Sequence, residues 1–166
     1  MEILDSTLRE GEQTPGISFT IDQKVAIAKR LDAFGVDFIE LGHPAVSPDV
    51  YEAVAILNDL NLNTKKIAHG CASKSDINDV AAIGVGWMGI FFGTSPLSLK
   101  HKFNMTKSDA LARIETAVKY GKDKGLHLRF TAEDASRTDF GFLIQVGQLV
   151  QKAGADRFSL ADTVGC

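Results

Sequence analysis

Twelve residues, Asp5-Ser-Thr-Leu-Arg-Glu-Gly-Glu-Gln-Thr-Pro-Gly16, hold three carboxylates (Asp5, Glu10, Glu12), a guanidinium (Arg9) and a carboxamide (Gln13). A carboxylate beside an arginine can hold a cation while the guanidinium stabilises negative charge developing on an oxygen. The plainer alternative is a solvated loop with a surface ion pair of little worth. Similar groups recur downstream: Glu40, His69, the pair Thr94 and Ser95, the triplet Arg129, Thr131 and Glu133, and the pair Asp162 and Thr163. Singly each has a structural explanation, since a lone histidine is commonly a hydrogen-bonded core residue and a lone glutamate can cap a loop. His43 and His127 carry that structural expectation.

These groups share a position, because each ends or follows an apolar segment of strand length. Strands are expected over Ile3–Ser6, Val36–Leu41, Lys66–Cys71, Trp87–Phe92, Leu126–Thr131 and Arg157–Ala161. Thr20 with Gln23, and Thr106 with Asp109, predict two capped helix starts, and Ser47 before Pro48 predicts a third. Further helices are expected near Ser75–Ile83 and Phe140–Ala153. Gly35, Gly84, Gly125 and Gly154 stand where helix ends require a left-handed residue. The pattern is β(αβ)5, an α/β fold of one domain. Gly84-Val-Gly-Trp-Met-Gly89 has the letters of a dinucleotide fingerprint but precedes a strand instead of a helix, so it reads as a helix end. Lys100-His101-Lys102 could attract a phosphate or carboxylate, or be a solvated loop.

In parallel α/β folds ligands bind at the C-terminal ends of the strands, which would bring the scattered groups to one mouth. Six strands are too few for the eight-stranded barrel, so the alternatives are a smaller doubly wound sheet or the first six strands and five helices of a TIM (β/α)8 barrel; the second is expected. Composition narrows the partners. Of 166 residues 45% are hydrophobic, and 18 Lys+Arg face 21 Asp+Glu, giving a net charge of -3 without a basic run. That excludes a polyanion-binding surface, so no nucleic acid is expected. No apolar run approaches a membrane span, and no basic leader opens the chain. Cys71 and Cys166 are too far apart in sequence for a zinc knuckle or redox pair, and such sparse cysteine fits a reducing, cytoplasmic setting. No zinc-ligand pair is expected from spacing.

The segments DSTLREGEQTPG, ELGHPAVSP, GTSPLSLKHKFNMT, RFTAEDASRTD and SLADTVG, in this order, resemble the homocitrate synthase and 2-isopropylmalate synthase family over essentially the whole chain. The resemblance implies a (β/α)8 barrel acting as an acyltransferase. It would condense acetyl-CoA, as co-substrate, with a 2-oxo acid in a Claisen-type reaction assisted by a divalent metal (Mg²⁺, Mn²⁺ or Zn²⁺), then hydrolyse the thioester. Carried over by position, Arg9 is the catalytic arginine, Glu10 the metal ligand, and Gln13, Glu40, His69, Arg129, Thr131, Glu133 and Thr163 line the 2-oxo acid pocket.

Two features point to the homocitrate branch, which serves lysine biosynthesis. Glu10 stands where isopropylmalate synthases usually carry aspartate, and Arg129 could pair with the distal carboxylate of 2-oxoglutarate while rejecting a branched apolar chain. Gly42-His43-Pro44 is nearer the other branch, so a 2-isopropylmalate or other alkylmalate synthase stays open. So do a metal-dependent lyase on the same barrel and a non-catalytic binding or assembly module. The family's His-x-His metal motif does not occur in these residues. The chain is therefore expected to be the N-terminal part of the catalytic barrel domain, incomplete at its C-terminus and unable to turn over alone. Its open barrel edges would be covered by a homo-oligomer or a complementing C-terminal segment.

Overall fold

The computed structural model describes residues 1–165; Cys166, and with it the expectation about its spacing from Cys71, lies outside them. Six strands, β1 (Leu4–Asp5), β2 (Phe38–Glu40), β3 (Lys65–Cys71), β4 (Trp87–Gly93), β5 (His127–Glu133) and β6 (Arg157–Leu160), form one parallel sheet in sequential order. Five helices, α1 (Ile21–Phe34), α2 (Pro48–Asp59), α3 (Lys74–Ile83), α4 (Lys107–Asp123) and α5 (Phe140–Lys152), connect them.

The helix starts follow their local chemistry. Thr20 with Gln23 and Thr106 with Asp109 both close full capping boxes. Ser47 accepts the Val50 N–H ahead of Pro48 in the first turn. Gly84 ends α3 at φ 82°, as expected of the reversed glycine motif, and Trp87 to Gly89 then enter β4. Helix α3 falls where it is expected, opening at Lys74 because Ser73 caps it by accepting the Asp76 N–H.

The first two strands are shorter than expected. The Ile3 N–H goes to the Asp37 carboxylate, and the Val36 N–H turns back to the Leu31 carbonyl at the end of α1, so neither N–H joins the ladder, although the Ile3 carbonyl still accepts the Phe38 N–H at 3.0 Å. Lys100-His101-Lys102 is solvated, as one of its two readings had it, but on a π-helical turn, Ser98–Phe103, and not in a loop.

Alternate strand residues divide the sheet into two surfaces. Ile39, Ala68, Met88, Ile90, Phe92, Leu128 and Phe130 pack against the helices in one continuous apolar core with Ala28, Val54, Ile77, Ile114 and Val146. The other surface is concave. At its lower end the Arg157 guanidinium of β6 lies 4.6 Å from the Phe38 ring of β2 and 5.2 Å from Trp87 of β4, and Arg157 pairs with Glu2 just before β1. The sheet has curled until its last strand meets the approach to its first, which makes it six strands of a barrel rather than a flat doubly wound sheet.

Candidate functional site

The loops after the strands open onto a cleft of about 630 Å³, within the range of small-molecule sites. Arg9, Glu10, Gln13, Glu40, His69, Arg129, Thr131, Glu133 and Thr163, scattered over 155 positions, all line it. Depth separates them. Glu40 is wholly buried, His69 and Thr131 are buried, Arg9, Arg129 and Glu133 are half-buried, and Glu10, Gln13 and Thr163 reach the rim.

Glu40, the last residue of β2, organises the floor. Its Oε2 accepts the Ser6 hydroxyl at 2.5 Å and Arg9 Nε at 2.7 Å, and its Oε1 accepts Arg129 Nη2 at 2.7 Å. Both guanidiniums are thereby fixed by one buried carboxylate, and Glu10 meets Arg9 a second time from the exposed rim. Burial alone would raise the Glu40 carboxyl; the His69 ring 3.2 Å away and the Arg129 and Arg9 charges outweigh it and hold the group well below the usual carboxylate range. His69 is itself pushed down by burial, against the pull of Glu40, so at neutral pH its ring is uncharged and the arginines supply the field. Phe91 stacks on that ring at 4.6 Å.

Three buried polar atoms in the cleft's lining residues have no hydrogen-bond partner: Arg129 Nε, Thr131 Oγ1 and His69 Nδ1, the last being 3.2 Å from Glu40 Oε1 but out of hydrogen-bonding alignment. Buried polar groups are nearly always paired, so three orphans together are an exception that calls for an explanation. Gly89 makes the room, since a Cβ there would stand 2.8 Å from Arg129 Nη2 and 3.3 Å from His69 Nδ1.

The dense Asp5–Gly16 segment splits by role. Arg9 and Glu10 face the cleft and pair with each other. Asp5 accepts the Thr7 N–H at 2.9 Å, and Glu12 binds Lys24 at 2.6 Å and the Phe19 N–H at 3.0 Å, which ties the loop to α1. Thr94 and Ser95 do not line the cleft: Thr94 bonds Thr138 at 2.8 Å and Ser95 accepts the Ser98 N–H at 3.1 Å, fixing loops beneath it. Glu133 is engaged by Lys102 at 2.8 Å, so that lysine is not free to draw in an anion. Thr163 Oγ1 accepts the Asp134 N–H at 2.8 Å and retains its own proton to donate.

Ser6, which bonds Glu40 from inside the first motif, is not singled out by its sequence context, and His43, expected to be a hydrogen-bonded structural residue, is one but also borders the cleft. His43 lines the cleft and donates from Nε2 to Asp76 Oδ2 at 2.8 Å. It also borders a second cavity of about 610 Å³ between the loop after β1 and helix α2.

A family model described as HMGL-like matches residues 1–166. The chain belongs to the HMGL-like family. Among curated members, the homocitrate synthase of Saccharolobus islandicus is 51% identical over 98% of this chain, and that of Sulfurisphaera tokodaii is 50% identical over 98%. The chain spans 36% of the length of each. Of solved HMGL-like structures, the HMG-CoA lyase of Bacillus subtilis superposes with a TM-score of 0.81 at 17% identity, covering 99% of this chain and 59% of that one. The Brucella melitensis HMG-CoA lyase gives 0.80 at 20% identity, covering 99% and 62%. At such identities these two establish the fold alone. Among the described residues no helix is long and apolar enough to cross a membrane.

Proposed function

We propose that this chain is the 2-oxo acid half of the active site of an acyltransferase condensing acetyl-CoA with 2-oxoglutarate to give homocitrate, with thioester hydrolysis following. The single observation that carries this reading is the buried floor in which Glu40 holds Arg9 and Arg129 at 2.7 Å each. One buried carboxylate against two guanidiniums leaves charge to receive an anionic substrate once the exposed Glu10, which also pairs with Arg9, turns to a cation, and half-identity to curated homocitrate synthases supports the substrate class.

In this reading Arg129 pairs with the distal carboxylate of the oxo acid. Thr131 donates its unpartnered hydroxyl to the substrate, Thr163 donates from the rim, and Gln13 and His69 orient the bound acid. Arg9, held by Glu40, stabilises the charge that builds on the former keto oxygen during attack by the acetyl enolate. A divalent metal, when bound, supplies Lewis-acid polarisation of the keto oxygen. The Glu10 carboxylate suits a hard cation but is a single donor, and among the described residues no group of three ligands forms around it. The remaining ligands then belong to the rest of a longer barrel, of which these residues are the N-terminal part.

Exposed Phe140, Ile144 and Leu160, on α5 and β6, would be covered by that complement or by a second copy. The enzyme would work in the cytoplasm, where acetyl-CoA and oxo acids meet a reducing solvent.

The test is thiol release by the full-length protein from acetyl-CoA across a panel of 2-oxo acids with Mg²⁺. 2-Oxoglutarate should be the best acceptor. Preference for a branched monocarboxylic acid would move the protein to the alkylmalate branch, a choice also suggested by Gly42-His43-Pro44. Binding without thiol release would make it a binding module. Arg129→Ala should raise KM for 2-oxoglutarate by about thirtyfold or more, the effect of unpairing a buried charge, with a much smaller effect on pyruvate. Equal losses for both acids would remove Arg129 from substrate selection.

A further inference from the structure

We propose that His43, Cys71 and Asp76 form a second metal site beside the cleft, one that takes a thiophilic divalent cation such as Zn²⁺. The three come from three elements: the loop after β2, the last residue of β3 and the first turn of α3. A nitrogen, a sulfur and a carboxylate oxygen, one from each, lie within 4.8 Å of one another, and all three residues are half-buried. This mixture of imidazole, thiolate and carboxylate is a donor set for zinc or cobalt; an all-oxygen site would suit magnesium or calcium.

The distances are close to those a bound ion needs. Tetrahedral zinc with bonds near 2.0 Å to nitrogen and oxygen and 2.3 Å to sulfur separates its ligands by about 3.3–3.5 Å. His43 Nε2 and Asp76 Oδ2 stand at 2.8 Å, so that edge must open by roughly half an ångström while sulfur closes in. Asp76 is already oriented by the outer bonds typical of metal ligands: Ser73 Oγ donates to its Oδ1 at 2.5 Å and the Cys71 N–H to its Oδ2 at 2.9 Å. His43 is confined by edge-on contact with the His69 and Phe91 rings, each 6.1 Å away. Three protein ligands leave a fourth position for water. On binding, the metal–sulfur bond replaces the Cys71 S–H bond and the thiol proton passes to solvent, while the metal–nitrogen bond replaces the N–H bond at His43 Nε2 and the neutral ring carries its proton on Nδ1 instead.

Nothing in this site depends on the condensation chemistry. Glu10 is not among its ligands, and magnesium held at Glu10 would leave it vacant, so the two sites are separable by experiment. Co²⁺ would be titrated into the full-length protein in excess Mg²⁺ while the near-ultraviolet thiolate-to-cobalt band and the visible tetrahedral bands are followed. Both should appear at one equivalent in the wild type and in Glu10→Gln. The thiolate band should vanish in Cys71→Ser, and affinity should fall about tenfold or more in His43→Asn, with circular dichroism reporting that both variants are folded. Zn²⁺ should displace the cobalt. Absence of the thiolate band, or a band unchanged in folded Cys71→Ser, would overturn the site and leave Asp76 as a helix cap only.

Discussion

Strand β5 alternates His127, Arg129, Thr131 and Glu133 on the concave surface with Leu128, Phe130 and Ala132 on the helix-covered one; β4 alternates Trp87, Gly89, Phe91 and Gly93 with Met88, Ile90 and Phe92. The second set is at most 2% exposed and packed on helices. The first contains two glycines that leave space, two charged groups and an unpartnered hydroxyl. One surface is filled to native density, and the other is kept open around fixed charges. In a barrel an amphipathic strand therefore need not face water, because its polar side is reserved for a ligand. Stability and function become separable by the parity of a residue's position, and substitutions on either surface test that separation.

The largest effect is expected on the helix side. Phe130 is wholly buried, with Phe158 beyond it at a ring distance of 6.3 Å. Phe130→Ala leaves a cavity that the surrounding strands and helices cannot close, and should cost about 3–5 kcal/mol in chemical denaturation. Substrate affinity of the fraction that stays folded should be little changed. A loss below about 1 kcal/mol would mean that the core is not packed as described.

On the concave side the largest stability effect belongs to Glu40. Glu40→Gln leaves Arg9 and Arg129 without their counter-charge and should destabilise by about 2–3 kcal/mol at pH 7. The sign with pH follows from the depressed carboxyl. The unfolded chain takes up a proton near its ordinary value of about 4.3 while the folded chain does not, so this contribution is complete above that pH and declines as pH falls below it. The advantage of the wild type over Glu40→Gln in urea midpoints should thus narrow between pH 7 and pH 3. A constant gap would mean that the charge on Glu40 is not what holds the two arginines.

Much of this division is legible in the sequence. The alternation in His127–Glu133, the cap pairs Thr20/Gln23 and Thr106/Asp109, and the glycine at 84 all act locally, and each predicts its element. The cleft residues were legible as strand-end groups because a parallel sheet sends all such ends to one side. What could not be read is which strand-end group bonds which. The Glu40–Arg129 contact joins residues 89 apart, and the sequence cannot distinguish a glutamate that touches substrate from one that anchors two arginines. Thr94 and Ser95 have the same types and placement as Thr131, yet bonds to Thr138 and Ser98 absorb them into loop support. The meeting of His43 with Asp76, 33 residues on, depends on how the loop after β2 lies against the first turn of α3, which no local pattern records. Spacing rules for zinc ligands could not find a site assembled from three elements.

The smallest expected effect separates the surfaces most sharply, because its sign in stability is opposite to its sign in function. Thr131 is buried and its Oγ1 has no partner, so the folded chain bears the desolvation of a hydroxyl with no bond in return. Valine has nearly the same shape. Thr131→Val should therefore leave stability unchanged or raise it by up to about 1 kcal/mol, whereas a hydroxyl bonded within the fold would cost about that much to remove. If the hydroxyl is held for substrate, the same substitution should weaken 2-oxo acid binding about three- to tenfold, the worth of one neutral hydrogen bond. Denaturation and KM measured on one preparation give both signs. A variant that lost stability would have had a bonded hydroxyl, and one that gained stability while binding the oxo acid unchanged would place Thr131 outside the ligand's reach.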